Sequence, residues 1–149
     1  MSDPNSTAGF TELNGLYRAT LQICDRLEAV ADSLPRPDRR LCRQIAAELK
    51  PAIAAANRLE EEILFPAALG RLPAAGTGAT IERLRREHAQ DHAAADEIVR
   101  ILVTLSRGGG KRSWDAIGYM LRAYFLAIRR HVACEQNLLA AIRTPPCPD

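Results

Sequence analysis

Apolar side chains recur along this chain every three or four positions, and no stretch alternates with a period of two. Leu13, Tyr17, Thr20, Cys24, Leu27, Ala31 and Leu34 form one such stripe, which predicts a helix from about Thr11 to Leu34. A second helix is expected from Asp38, an N-cap residue, to Phe65. Pro51 within it removes the bond to the Ala47 carbonyl and should bend it. The third begins near Thr80, with Ile81, Leu84, His88, Ala95, Ile98, Leu102 and Leu105 on one seam and Asp91 and His92 at its margins. The fourth begins near Ser113 and carries Ile117, Leu121, Tyr124, Ile128, His131, Glu135, Leu138 and Ile142. The breaks between them are Pro35-Arg36-Pro37, the stretch from Gly70 to Gly78, and Gly108-Gly109-Gly110.

Short connections between long helices make neighbours antiparallel, so the expected fold is an all-α, up-down-up-down four-helix bundle. Residues 11–143 would form the bundle, residues 1–10 a flexible N-terminal tail and residues 144–149 a C-terminal tail. A chain of 149 residues is about one domain and large enough to bury a core without disulfides.

Polar residues interrupt two of these seams. The chain has three histidines: His88 and His92 stand one helical turn apart, and His131 stands one turn before Glu135. An α-helix brings positions i and i+4 to one face, so each pair can present two groups to a common point. An unpaired carboxylate in an apolar seam costs several kcal/mol, so something must satisfy Glu135. Glu60 offers a parallel case, because AANRLEEEILFP and RHVACEQNLLAA read as two versions of one motif. Glu60, His88, His92, His131 and Glu135, directed inward at similar depth, would suit iron, manganese or zinc better than calcium or magnesium, which favour all-oxygen shells. Each position taken singly is more simply a hydrogen-bonded core histidine or a solvated glutamate; their co-occurrence is what argues for a metal. Asp91 lies as near the seam as His92, so either could point inward.

The remaining composition narrows the function. Twenty basic and 18 acidic residues leave a net charge of +2, which gives no reason to expect nucleic acid or an anionic membrane as a partner. The start MSDPNSTAGF has no secretory pattern and the apolar stretches are interrupted by arginine, so an intracellular, cytoplasmic protein is expected. Cys24, Cys42, Cys134 and Cys147 lack CxxC spacing and read as small buried apolar groups, although Cys134, between His131 and Glu135, could be a thiol ligand. GGGKRS lacks the spacing and the preceding strand of a phosphate-binding loop and reads as an interhelical loop. Trp114 is expected to pack at the bundle end, and Arg129-Arg130 to lie on a solvated face.

EEEILFP, REHAQDH and HVACE together resemble the hemerythrin-like (HHE cation-binding) family from Leu16 to Ile142. The resemblance implies a four-helix bundle around a non-haem di-iron centre, with a histidine on the first helix, HxxxE on the second, one histidine or HxxxH on the third, and HxxxE on the fourth. Two positions depart from that pattern. Ala56 stands four residues before Glu60, and Asn57 four before Glu61; Tyr17 occupies the place of the first-helix histidine. The resemblance thus implies one metal position with His88, His92 and His131 available, bridged outward by Glu60 and Glu135, and a second stripped of both imidazoles. Tyr17 could be a phenolate ligand there, or a hydroxyl that reaches a bundle carboxylate. Ferritin-like centres are set aside, because neither glutamate has a histidine three residues later.

Three functions follow as expectations. The first is an intracellular non-haem iron protein that binds or reacts with dioxygen, peroxide or nitric oxide at the metal. The second is a degenerate, metal-poor bundle serving as a binding or regulatory module. The third is mononuclear zinc. Whether substrate is turned over and whether the chain forms a homo-oligomer stay open at this level.

Overall fold

The computed structural model describes residues 4–144 of the chain. Its elements are α1 (Pro4–Ser33), α2 (Arg39–Leu59), a π-helical turn (Glu60–Leu64), α3 (Phe65–Arg71), α4 (Ala74–Ser106) and α5 (Trp114–Arg143), with no strand among the described residues. α2, the π turn and α3 run on without a loop, so the bundle has four columns. Ion pairs show their directions: Asp32 meets Arg122 and Asp25 meets Arg129, so α5 runs against α1. Lys50 with Asp96 and Glu61 with Arg85 run α4 against α2 in the same way. Exposed pairs of this kind mark register more than they stabilise.

The boundaries follow from local chemistry. The Asp38 carboxylate caps α2 by accepting from the backbone N–H groups of Arg40 and Leu41, a contact that stabilises a helix by about 1 kcal/mol. The Ser113 hydroxyl caps α5 by accepting from Ala116. α4 ends where Gly108 and Gly109, both at φ +106°, turn the chain so that their N–H groups reach the Leu105 and Thr104 carbonyls. That left-handed backbone is cheap only for glycine.

Several boundaries differ from expectation. α1 begins at Pro4 rather than Thr11, with Phe10 already buried beneath the guanidinium groups of Arg71 and Arg143, so residues 4–10 of the expected tail are helical. Gly9 lets α1 close on Ile63 of the π turn, where a Cβ would collide with that side chain. The second column continues past Phe65 to Arg71, and α4 starts at Ala74, its first turn broken at Ala75 and Gly76. Trp114 is partly exposed rather than packed, and Leu139 rather than Leu138 takes the buried position on α5. Arg129 is clamped by Asp25 and Glu28 and lies over Phe125, so it is not on a free solvated face. Of the expected C-terminal tail and Cys147, only Thr144 falls within the described residues.

The predicted stripes otherwise meet in one core, with Leu13, Leu27, Leu84, Leu102 and Leu121 among its fully buried members. Leu121→Ala is expected to lower unfolding stability by about 2–5 kcal/mol. Tyr119→Ala, at a 76% exposed site on the same helix, is expected to change it by under ~0.5 kcal/mol. Denaturant titration of both variants checks the pair.

Candidate metal centre

Four polar side chains enter this core from three columns. Glu60 comes from the π turn, His88 from α4, and His131 and Glu135 from successive turns of α5. The π turn has a local cause. Pro66 has no N–H to return to the Glu62 carbonyl, and the Phe65 N–H instead reaches back five residues to the Glu60 carbonyl. Glu60, Leu64 and Phe65, within and at the end of this wider turn, are all on the inner face. Phe65 then stacks on the His88 ring at 5.9 Å between centroids, with the Arg85 guanidinium over its other side.

One donor atom from each of the four residues lies within 4.8 Å of the others. His88 Nε2 is 2.8 Å from Glu60 Oε2 and 3.1 Å from Glu135 Oε1. A neutral imidazole has one hydrogen at that nitrogen and two carboxylates compete for it. His131 is held from outside: its Nδ1 is 2.8 Å from Glu87 Oε2 and 3.8 Å from Asp91 Oδ2. A Glu87 carboxylate accepting from Nδ1–H leaves Nε2 as the lone-pair nitrogen, the arrangement that orients metal-bound histidines. That Nε2 is buried without a hydrogen-bond partner, although it stands against Glu135 Oε1. Contact between them is close but not aligned as a hydrogen bond, so the pair needs positive charge, from a proton or from a cation, to offset it.

Charges in the cluster are strongly coupled. Burial alone would neutralise His88, yet the hydrogen bonds to Glu135 and Glu60 outweigh it and push its pKa up to about 10. Burial, reinforced by Glu135, raises Glu60. Burial also opposes ionisation of Glu135, but its close contacts with Glu60, His131 and His88 hold it below the usual carboxylate range. His131 is raised as well, the close contact with the Glu135 charge outweighing burial. Without a metal, the cluster therefore retains protons at neutral pH, and it titrates as a unit. A divalent cation can replace those protons and satisfy both carboxylates and both imidazoles, so the donor set fits a metal.

Of the residues expected at the site, Glu60, His88, His131 and Glu135 converge. His92 does not. It is exposed and its Nε2 lies 3.2 Å from Asn57 Nδ2, because the buried α4 residues Leu84, His88, Ala95 and Ile98 put position 91, not 92, on their seam. Asp91 takes the inward place, its side chain 18% exposed. Tyr17 is fully buried at the edge of the cluster, its hydroxyl without a hydrogen-bond partner, and burial with the nearby Glu135 and Glu60 charges raises its pKa. Cys134 stays outside, its Sγ accepting from Arg83 at 3.4 Å. Sequence reasoning did not single out Glu87 or Phe65. Glu87 looks like any surface glutamate of α4 until α5 brings His131 to it.

A four-column bundle with buried carboxylates and imidazoles meeting between its helices has the groups that could hold a cation. The chain matches the family model of the hemerythrin HHE cation-binding domain over residues 18–142, and it belongs to that family. Tyr17 lies one residue before the match. No match was found among curated proteins or among solved structures. No helix of the described residues is long and apolar enough to cross a membrane.

A group whose pKa is raised on folding stabilises fully below its unfolded value and loses that contribution as pH climbs through its folded one. For His88 the window runs from 6.5 to about 10, and the raised Glu60 acts with the same sign. Chelator-treated protein is therefore expected to lose stability between pH 7 and pH 10, and His88→Ala to flatten that loss. Denaturant midpoints at both pH values test this; an equal loss in the variant would contradict the assignment.

Proposed function

We propose that this chain is an intracellular non-haem iron protein in which Glu60, His88, His131 and Glu135 hold the metal and a small diatomic or peroxide ligand reaches it. The observation that carries this reading is the His131 ring, tied at Nδ1 to Glu87 and left with a partnerless Nε2 against Glu135. Two imidazoles with carboxylates suit iron, with manganese and zinc as weaker fits, and do not suit calcium or magnesium. Convergence of all four donors also supports metal binding over the metal-poor regulatory module.

Iron would supply a redox-active, Lewis-acidic position at this point. The chain's own residues do the rest. Glu87 orients His131, the Phe65 ring fixes and covers His88, and the leucine and isoleucine side chains around them exclude bulk water. A polar groove lined by Arg83, Glu87, Asp91, Arg130 and His131 leads to the outer edge of the site between α4 and α5. The charged side chains that line it give small solutes and protons a polar approach to His131.

Protein purified without a histidine tag is expected to carry near-stoichiometric iron with a visible absorption spectrum; colourless, redox-inert zinc protein would overturn iron. His131→Ala is expected to abolish retention of the metal. Glu87→Gln is expected to weaken affinity by about 10–100-fold, and His92→Ala to leave it unchanged. Elemental analysis and metal titration read all three.

A further inference from the structure

The bundle has two halves built on one plan. α1 with α2 and the π turn contribute Tyr17, Ala56 and Glu60; α4 with α5 contribute His88, His131 and Glu135. Ala56 stands to Glu60 as His131 stands to Glu135, four residues before it, and Tyr17 faces the carboxylate pair from the side opposite His88. All imidazole nitrogen in the cluster therefore comes from one half. Between the halves lies a cavity of about 20 Å³, bordered by Tyr17, Thr20, Ile53, Ala56 and Ile128 and closed by the two glutamates, Asp91 and His131.

The polar groups on the Tyr17 side are already engaged, with one exception. Thr20 Oγ1 donates to the Leu16 carbonyl at 2.9 Å, and the Asn57 amide is turned to His92. Only the Tyr17 hydroxyl, although it stands near Glu135, is buried and without an aligned hydrogen-bond partner. Ile53, Ala56 and Ile128 offer hydrocarbon. A second divalent ion would find Asp91 and the two carboxylates that already serve His88 and His131, but no imidazole of its own. The volume suits a different occupant, since a void of this measure admits about one water-sized molecule.

We infer that the centre holds a single metal ion, and that the cavity beside Tyr17 and Ala56 receives the small neutral ligand, a water or a diatomic gas, with the Tyr17 hydroxyl donating a hydrogen bond to it. This rests on the metal-binding reading above and adds to it the stoichiometry and the place of the ligand. Ala56 leaves the space that an imidazole would fill, and Ile53 and Ile128 give that space an apolar wall. Tyr17 is thereby a positioning donor for the ligand instead of a fourth side chain on the metal. Thr20, held by its own helix, does not compete with it.

Anaerobic titration of metal-free, untagged protein with ferrous iron is expected to saturate at one equivalent per chain, and Tyr17→His combined with Ala56→His at two. Two equivalents in the unaltered protein would overturn the single-ion assignment, and one in a folded double variant that keeps the first would overturn the part given to Tyr17 and Ala56 in excluding a second ion; both leave the metal-binding reading intact. No bound iron at all would overturn both. Nitric oxide added to the ferrous protein probes the cavity. Tyr17→Phe, which keeps the ring, is expected to bind one iron as before and to release nitric oxide about fivefold faster, the worth of one neutral hydrogen bond; an unchanged release rate would overturn the role of the hydroxyl.

Discussion

Two carboxylates and two imidazoles share one dry point between four helices, and the fold tolerates them only if positive charge sits among them. Glu60 and Glu135 are each 1% exposed, where an unneutralised carboxylate pair would cost far more than a domain's whole margin of stability. Protons can supply the positive charge, which is why His88 and Glu60 hold theirs so tightly. A metal would supply it better, because one ion could take a donor atom from each of the four residues. Each surrounding feature keeps this point in place: the π turn swings Glu60 inward, Phe65 covers His88, and Glu87 aims His131.

The architecture was legible from period and punctuation. Stripes at three- and four-residue spacing, the caps at Asp38 and Ser113 and the glycine triplet located four columns, and the inward residues on α4 were nearly all found. What failed was local. The tail expected at the N-terminus is helical because Phe10 finds two arginines and the bundle end to pack against, contacts that exist only once α3 and α5 are in place. EEEILFP reads as the end of a helix by pattern, whereas the helix passes through it by widening one turn ahead of Pro66.

The site was legible to the extent that its members stand on apolar seams. Glu60, His88, His131 and Glu135 do, and they converge. His92 was included because i, i+4 spacing puts two histidines on one face, but α4 offers that face to two different neighbours. Its inner line passes through His88 and position 91, leaving His92 to Asn57 at the outer edge of α2. Tyr17 was placed near the centre without a settled role, since spacing reports which way a residue points and not whether its hydroxyl has a partner. Residues that act through others, such as Glu87, carry no mark in a single sequence.

The central claim is that a cation takes the place of protons held among Glu60, His88, His131 and Glu135. Calorimetric titration of the metal-free protein with ferrous iron at neutral pH, in buffers of different ionisation enthalpy, tests it most directly. Binding at this cluster must expel protons, so the observed heat is expected to vary with the buffer and the variation to vanish with the binding in His131→Ala. Iron that binds with the same heat in every buffer, or equally well in that variant, would show that it is held elsewhere and would contradict the account.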